Sequence, residues 1–309
     1  YWNRANYSRK GFKQTDEHGF RWRGTSISKL KKNTTVRILA YGGSTTFSNH
    51  VFWDPEKCWT FLAEKEIQEV IKGKYEIEIL NAGLNYALTS ELLSHYLFEG
   101  HNFKPDYLLI HGPGNDMMPV STGDTSPDYR KVRESTNLYP RKFEKALLKK
   151  SAILRVLYAY WLRESTPAKV EPEEWESPDI QNERMLNTDP IAFYHNVTSM
   201  CNFAIANNTK VILVDFLQNH EKELEKEKPG LSKGMIEIVR KMNYHFQTLE
   251  EMYKGKCFHI EIKNSLFSPI DFVDTCHLTE IGERKKAKII ADGITIIIDQ
   301  EKFKHISNT

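Results

Sequence analysis

Ser44 stands in YGGSTTF (41–47), directly after the apolar run VRILA, while Asp274 and His277 lie three residues apart in DTCH near the other end of the chain. Nucleophilic attack on an ester needs an activated hydroxyl, a base to take its proton, a carboxylate to orient that base, and donors for the developing oxyanion. Ser44 offers the hydroxyl. His277 offers the base, and Asp274 is close enough in sequence to hold its Nδ1 proton and support the imidazolium. The backbone N–H groups of Ser44 and Gly83 and the side-chain amide of Asn115 are the candidate oxyanion donors. A glycine at 83 lets a backbone donor approach a substrate with no Cβ in the way.

Singly these features are commonplace. A glycine turn with a serine opening a helix is routine, an Asp near a His in a loop is often a surface hydrogen bond, and Asn115 can stabilise its own turn. Asp271 competes for the carboxylate role, although its separation of six residues from His277 suits a tight Asp–His contact less well. What gives the set weight is its placement on predicted elements. VRILAY (36–41), YEIEILNAG (75–83), DYLLIHGPGND (106–116), KVILVDF (210–216) and KCFHIEI (256–262) are short apolar runs that predict strands. Helical spacing follows in CWTFLAEKEIQEVIKG (58–73) and TSELLSHYLFEGHNF (89–103), the latter with Thr89 or Ser90 as its N-cap, and over 191–206, 233–253 and 279–300.

Strands alternating with helices predict an α/β fold, a three-layer α/β/α sandwich of the flavodoxin type with a central, mostly parallel five-stranded sheet. Ligands of such sheets bind at the carboxyl ends of the strands. Ser44, Gly83 and Asn115 each follow a predicted strand, and Asp274 and His277 lie between the fifth strand and the last helix. Residues 1–34 are polar with scattered aromatics and read as an arm laid on a main domain spanning 35–309. An insertion at about 117–190 interrupts the rhythm. Within it, 141–165 predicts an amphipathic helix, and Tyr129, Tyr139, Tyr158, Tyr160, Trp161 and Trp175 offer ring surfaces for stacking on a sugar or side chains for a local core.

Composition excludes several partners. Lys and Arg number 43 against 41 Asp and Glu, a net charge of +2, so there is no electrostatic case for nucleic acid or an anionic membrane. The charge run EKELEKEKPG (221–230) reads as a solvated helix end or loop. No apolar stretch approaches the roughly 20 residues needed to span a bilayer. Cys58, Cys201, Cys257 and Cys276 form no CxxC pair, which argues against a zinc ribbon or a thioredoxin-type site, and neither a metal nor another cofactor is expected. His111, isolated at a strand end, and Cys276, lacking a second partner, read as packing residues. No GxGxxG or GxxxxGK[ST] phosphate loop is present, and Thr46 stands where an α/β-hydrolase elbow needs glycine. None of these features fixes an oligomeric state.

YGGSTTF, NAGLNYALTS, GPGNDM and DTCHLTEIG resemble, in order and spacing, the four blocks of the SGNH hydrolase superfamily, also called GDSL-type lipases and esterases. The resemblance spans about 36–300. It implies Ser44 as nucleophile, Gly83 and Asn115 as oxyanion donors beside the Ser44 amide, and Asp274 and His277 as the acid–base pair. Two departures stand out: Gly42-Gly43-Ser44 replaces the usual Gly-Asp-Ser, and Pro113 separates Gly112 from Gly114. The stretch GFRWRG ahead of the first strand resembles bacterial members that are often exported or membrane-anchored, and the chain begins at Tyr1, so a leader or anchor removed from its start is expected. The activity implied is that of a serine esterase working through an acyl-enzyme, on a small acyl group such as acetyl carried by a carbohydrate or similar metabolite. The alternatives are an acyltransferase using the same triad with a sugar hydroxyl as acceptor, and a non-catalytic binding module on the same fold.

Overall fold

The computed structural model describes residues 3, 5–25, 27–51, 53–71, 73, 75–112, 114–129, 176–220 and 233–306. The expected helix over 141–165, the charge run at 221–230, Pro113 and five of the six aromatics named for the insertion lie outside them.

Five strands form the central sheet: β3 (Thr35–Gly42), β4 (Glu76–Gly83), β5 (Tyr107–His111), β6 (Lys210–Val214) and β7 (Cys257–Ile260), after a small hairpin of β1 (Ser8–Arg9) and β2 (Phe12–Lys13). Their order is β4-β3-β5-β6-β7, and every pairing is parallel. Strand residues alternate between two cores. Leu39, Tyr41, Leu80, Leu108, Ile110 and Leu213 face one side, whereas Ile38, Ala40, Ile79, Leu109, Ile212 and Val214 face the other. Being covered on both faces is why these strands are continuous apolar runs.

Among the described residues the helices are α1 (Ser44–Phe47), α2 (Trp59–Ile71), α3 (Thr89–Phe98), α4 (Met117–Ser121), α5 (Pro178–Asn187), α6 (Ile191–Ala206), α7 (Lys233–Met252) and α8 (Glu280–Ile306). Residues of α3, α6 and α7 fill the first core, and residues of α2 and α8 fill the second. The result is the three-layer α/β/α sandwich that the alternating pattern predicts.

Two local boundaries differ from expectation. The chain between β3 and α2 contains the one-turn α1 and two 3-10 turns, Asn49–Val51 and Pro55–Lys57, because Ser48 takes a left-handed conformation (φ 55°) that stops α1. Neither Thr89 nor Ser90 is the N-cap of α3. Leu88 occupies that position, and the Thr89 hydroxyl turns instead to the buried carboxylate of Asp116 at 2.5 Å.

Chain direction reverses across the sheet between β3 and β5, since the first crossover leads to β4 on one side and the next to β5 on the other. That switch leaves a crevice at the strands' carboxyl ends, where Gly42 and His111 terminate.

Candidate active site

Ser44 is the first residue of α1, two residues beyond the end of β3 at the switch. Two side chains of α8 pin this turn from below. Lys286, fully buried on α8, donates from Nζ to Thr45 O at 3.0 Å, and Glu283, one turn earlier, accepts from Ser48 Oγ and Trp59 N at 2.9 Å each. Burial brings the Lys286 pKa down to about 8 and pushes that of Glu283 up, and each charge partly offsets the cost of burying the other. Thr46 reaches the ring Nδ1 of His111 at 2.8 Å. His111 is 1% exposed, its Nε2 has no partner among the described residues, and burial holds its pKa well below 6.5, so it is a packing residue of the switch.

The loop from Asp271 to Leu278 brings the distant pair to this turn. Ser44 Oγ lies 2.7 Å from His277 Nε2, and His277 Nδ1 lies 2.8 Å from Asp274 Oδ2. The second carboxylate oxygen accepts from the backbone N–H of Cys276 at 2.9 Å and of His277 at 2.8 Å. These contacts fix the Asp274 rotamer, while Asn219 N, donating to Thr275 O at 2.8 Å, ties the loop to the end of β6. Burial opposes charge on Asp274, yet the bonds from His277 and the two amides hold its carboxyl well below the usual carboxylate range. Burial likewise lowers the His277 pKa, and the hydrogen bonds to Asp274 and the Cys276 thiol outweigh it, so the imidazole is raised above 6.5.

Asp271 plays no part in this contact. It is fully buried, accepts from Ser268 N at 2.8 Å and forms an ion pair with Lys285 at 2.7 Å.

Gly83 and Asn115 border the same crevice from β4 and from the turn after β5. A Cβ at 83 would collide with the backbone nitrogen of Phe47, so glycine is what lets β4 end against α1. The Gly83 N–H donates to Asn81 Oδ1 at 2.9 Å, and one amide hydrogen of Asn115 goes to Ala87 O at 3.0 Å. Next to Asn115, Asp116 is completely buried. It accepts from Thr89 N and Oγ1 and from the Tyr129 hydroxyl, locking the Asn115 turn to the start of α3, and its burial pushes its pKa up to about 7. Tyr129 is thereby a core residue, 1% exposed, and presents no ring face for stacking on a sugar.

His50 is the residue that sequence reasoning missed. Its ring centroid is 4.5 Å from that of His277, and its Nε2 is 3.7 Å from Asp274 Oδ2. Burial first, then the neighbouring His277, lowers its pKa below 6.5, so it lies against the pair as a neutral ring. Nothing in the spacing of STTFSNH marks it, because the approach depends on the left-handed stop at Ser48. Cys276 is half-buried with its thiol 3.6 Å from His277 Nδ1, and all four cysteines are free. His50, Asp274 and His277 offer ligand atoms within 4.8 Å of one another, but a divalent ion entering there would have to displace the proton between Asp274 and His277.

No protein-family model and no curated protein matches the chain. Among solved structures the chain is similar to a GDSL-like lipase from Bacteroides thetaiotaomicron, at 14% identity over 89% of this chain and 93% of that one, TM-score 0.47. It is also similar to an acetylxylan esterase from Geobacillus stearothermophilus, at 11% identity over 86% and 96%, TM-score 0.48. A lipase/acylhydrolase from Enterococcus faecalis aligns at 14% identity over 84% and 95%, TM-score 0.47.

Proposed function

We propose that this chain is a serine ester hydrolase of SGNH type, with Ser44 as nucleophile, His277 as general base and acid, and Asp274 as the carboxylate that orients it. The observation that carries the reading is the continuous contact from hydroxyl to imidazole to carboxylate at 2.7 and 2.8 Å. With Nδ1–H donated to Asp274, Nε2 is left as the acceptor for the Ser44 proton. Oγ attacks the carbonyl carbon as that proton moves to Nε2. The tetrahedral oxyanion is received by the Ser44 N–H, by Gly83 N–H shared with Asn81, and by the Asn115 amide hydrogen not taken by Ala87. Nε2–H then passes its proton to the departing alkoxide, leaving an acyl group on Ser44. Water, deprotonated by His277, attacks the acyl carbon and restores the serine.

The preferred substrate is a small acyl group, such as acetyl, on a carbohydrate. A polar-lined cleft beside the Ser44 turn suits a hydrophilic alcohol better than a lipid. The test is steady-state hydrolysis of 4-nitrophenyl acetate by wild type and by Ser44→Ala. The expected loss in the variant is at least about a thousandfold in kcat, the scale seen when a triad member is removed. Undiminished turnover by Ser44→Ala would refute the assignment.

A further inference from the structure

A cleft of about 330 Å³ opens between residues 3–15 and the loops that follow β3 and β4. Asn3, Tyr7 and Arg9 line it from one side, Phe47 and Asn49 from just beyond Ser44, and Asn85 from just beyond Gly83. The cleft is bound physically to the candidate active site at three points. Asn3 Nδ2 donates to Gly83 O at 2.7 Å, Arg9 donates to Asn49 Oδ1 at 3.3 Å, and the residue after Asn49 is His50, whose ring packs on His277.

The lining is polar and bears one charge. Among the described residues it contains amides, a phenol, the Thr15 hydroxyl and a guanidinium, a single aromatic hydrocarbon face, and no carboxylate. Asn85 Oδ1 is buried and has no hydrogen-bond partner among the described residues, a situation that is costly unless a donor arrives. A carboxylate or phosphate cannot donate to it, and an alkyl chain can neither donate nor accept. A hydroxyl does both, so it can satisfy the Asn85 acceptor once that side chain turns toward the cleft, while neighbouring hydroxyls accept from the guanidinium and amides of the rim. The volume is at the lower end of small-molecule pockets, enough for one or two sugar rings. Tyr86, the next residue, holds a left-handed backbone (φ 61°) with its ring 86% exposed, an uncommon state for an aromatic residue that marks this loop as constrained.

We propose that this cleft seats the alcohol portion of the ester, an uncharged hydroxyl-rich ring, and that Asn85 and Arg9 discriminate such alcohols from simple ones. The assignment of a role in hydrolysis rests on the esterase reading above; the binding of a polyol does not. Two measurements separate them. In the first, kcat/KM is compared for glucose pentaacetate, 6-O-acetylglucose and 4-nitrophenyl acetate in wild type, Asn85→Leu and Arg9→Ala. The expected result is a fall for 6-O-acetylglucose at least tenfold larger than for 4-nitrophenyl acetate, with glucose pentaacetate, which has no free hydroxyl to donate, less affected. In the second, saturation-transfer NMR follows 6-O-acetylglucose on Ser44→Ala, where turnover is not needed, and on the same protein carrying Asn85→Leu. Saturation reaching the sugar ring in the first and lost in the second supports the cleft even if wild type hydrolyses no ester. Equal saturation in both, or equal losses for all three esters, would overturn it, and circular dichroism on each variant identifies any loss that comes from misfolding.

Discussion

At the scale of single residues, the proposed reactivity depends on the protonation state of His277. To act as a base its Nε2 must be unprotonated, and the Asp274 carboxylate stabilises the protonated ring. The sequence alone places the acid limb of activity near the imidazole reference, about 6 to 7. The observed contacts move it: the folded pKa is raised above 6.5, so kcat/KM should climb with pH along a limb lying on the alkaline side of that value. Asp274→Asn removes the raising interaction. It should shift the limb to lower pH and, because Nδ1–H loses its orienting acceptor, reduce the plateau by roughly 10³ to 10⁴. Profiles of 4-nitrophenyl acetate hydrolysis from pH 5 to 10 decide the matter, and a limb in the same place for both proteins would contradict it. His50 adds a neutral ring, not a second charge, against this pair.

At the scale of elements, the Ser44 turn is held by α8, whose Lys286 and Glu283 bond Thr45, Ser48 and Trp59 and not Ser44 itself. Lys286 anchors Thr45 O, and Glu283 anchors Ser48 Oγ and the start of α2, so α8 fixes both ends of α1. Removing the cation leaves Glu283 buried without its nearest offset, so Lys286→Met should lower stability by about 3 kcal/mol, the usual cost of stranding one member of a buried charged pair. It should also depress kcat by loosening Thr45. A urea midpoint equal to that of wild type would count against this clamp. None of it was legible in the sequence, where Lys286 and Glu283 look like any charged residues of an amphipathic helix. The strands were legible, since each is a short apolar run stopped by glycine or a polar residue. The first turn of α3 was misread because Thr89 has two possible tasks, capping its own helix or bonding a carboxylate from another loop. Only the tertiary position of Asp116 settles which.

At the scale of the whole molecule, a parallel sheet with its switch between β3 and β5 gathers residues from both ends of the chain into one crevice. The candidates Ser44, Gly83, Asn115, Asp274 and His277 could be named from sequence because each follows a strand or precedes the last helix, and of these the structure brings Ser44, His277 and Asp274 into contact. His50 and Asn85 could not, because their positions depend on a left-handed stop and on where residues 3–15 lie over the loops. The same segment, ahead of β3, also reaches the interior. Phe20 is 1% exposed in the first core, and Arg21, 4% exposed, bonds Gln14 at 2.7 Å and Val51 O at 3.2 Å. The segment ahead of β3 therefore shapes one wall of the cleft and is packed into the fold beneath it.

The most direct measurement is labelling with a fluorophosphonate followed by peptide mapping, on wild type and on His277→Ala. Phosphonylation requires a serine whose proton is being drawn off, so the modification should fall on the peptide containing Ser44 and nearly vanish in the variant. A label on another peptide, or one of equal strength without the imidazole, would contradict the meeting of residues 44 and 277 as the source of reactivity.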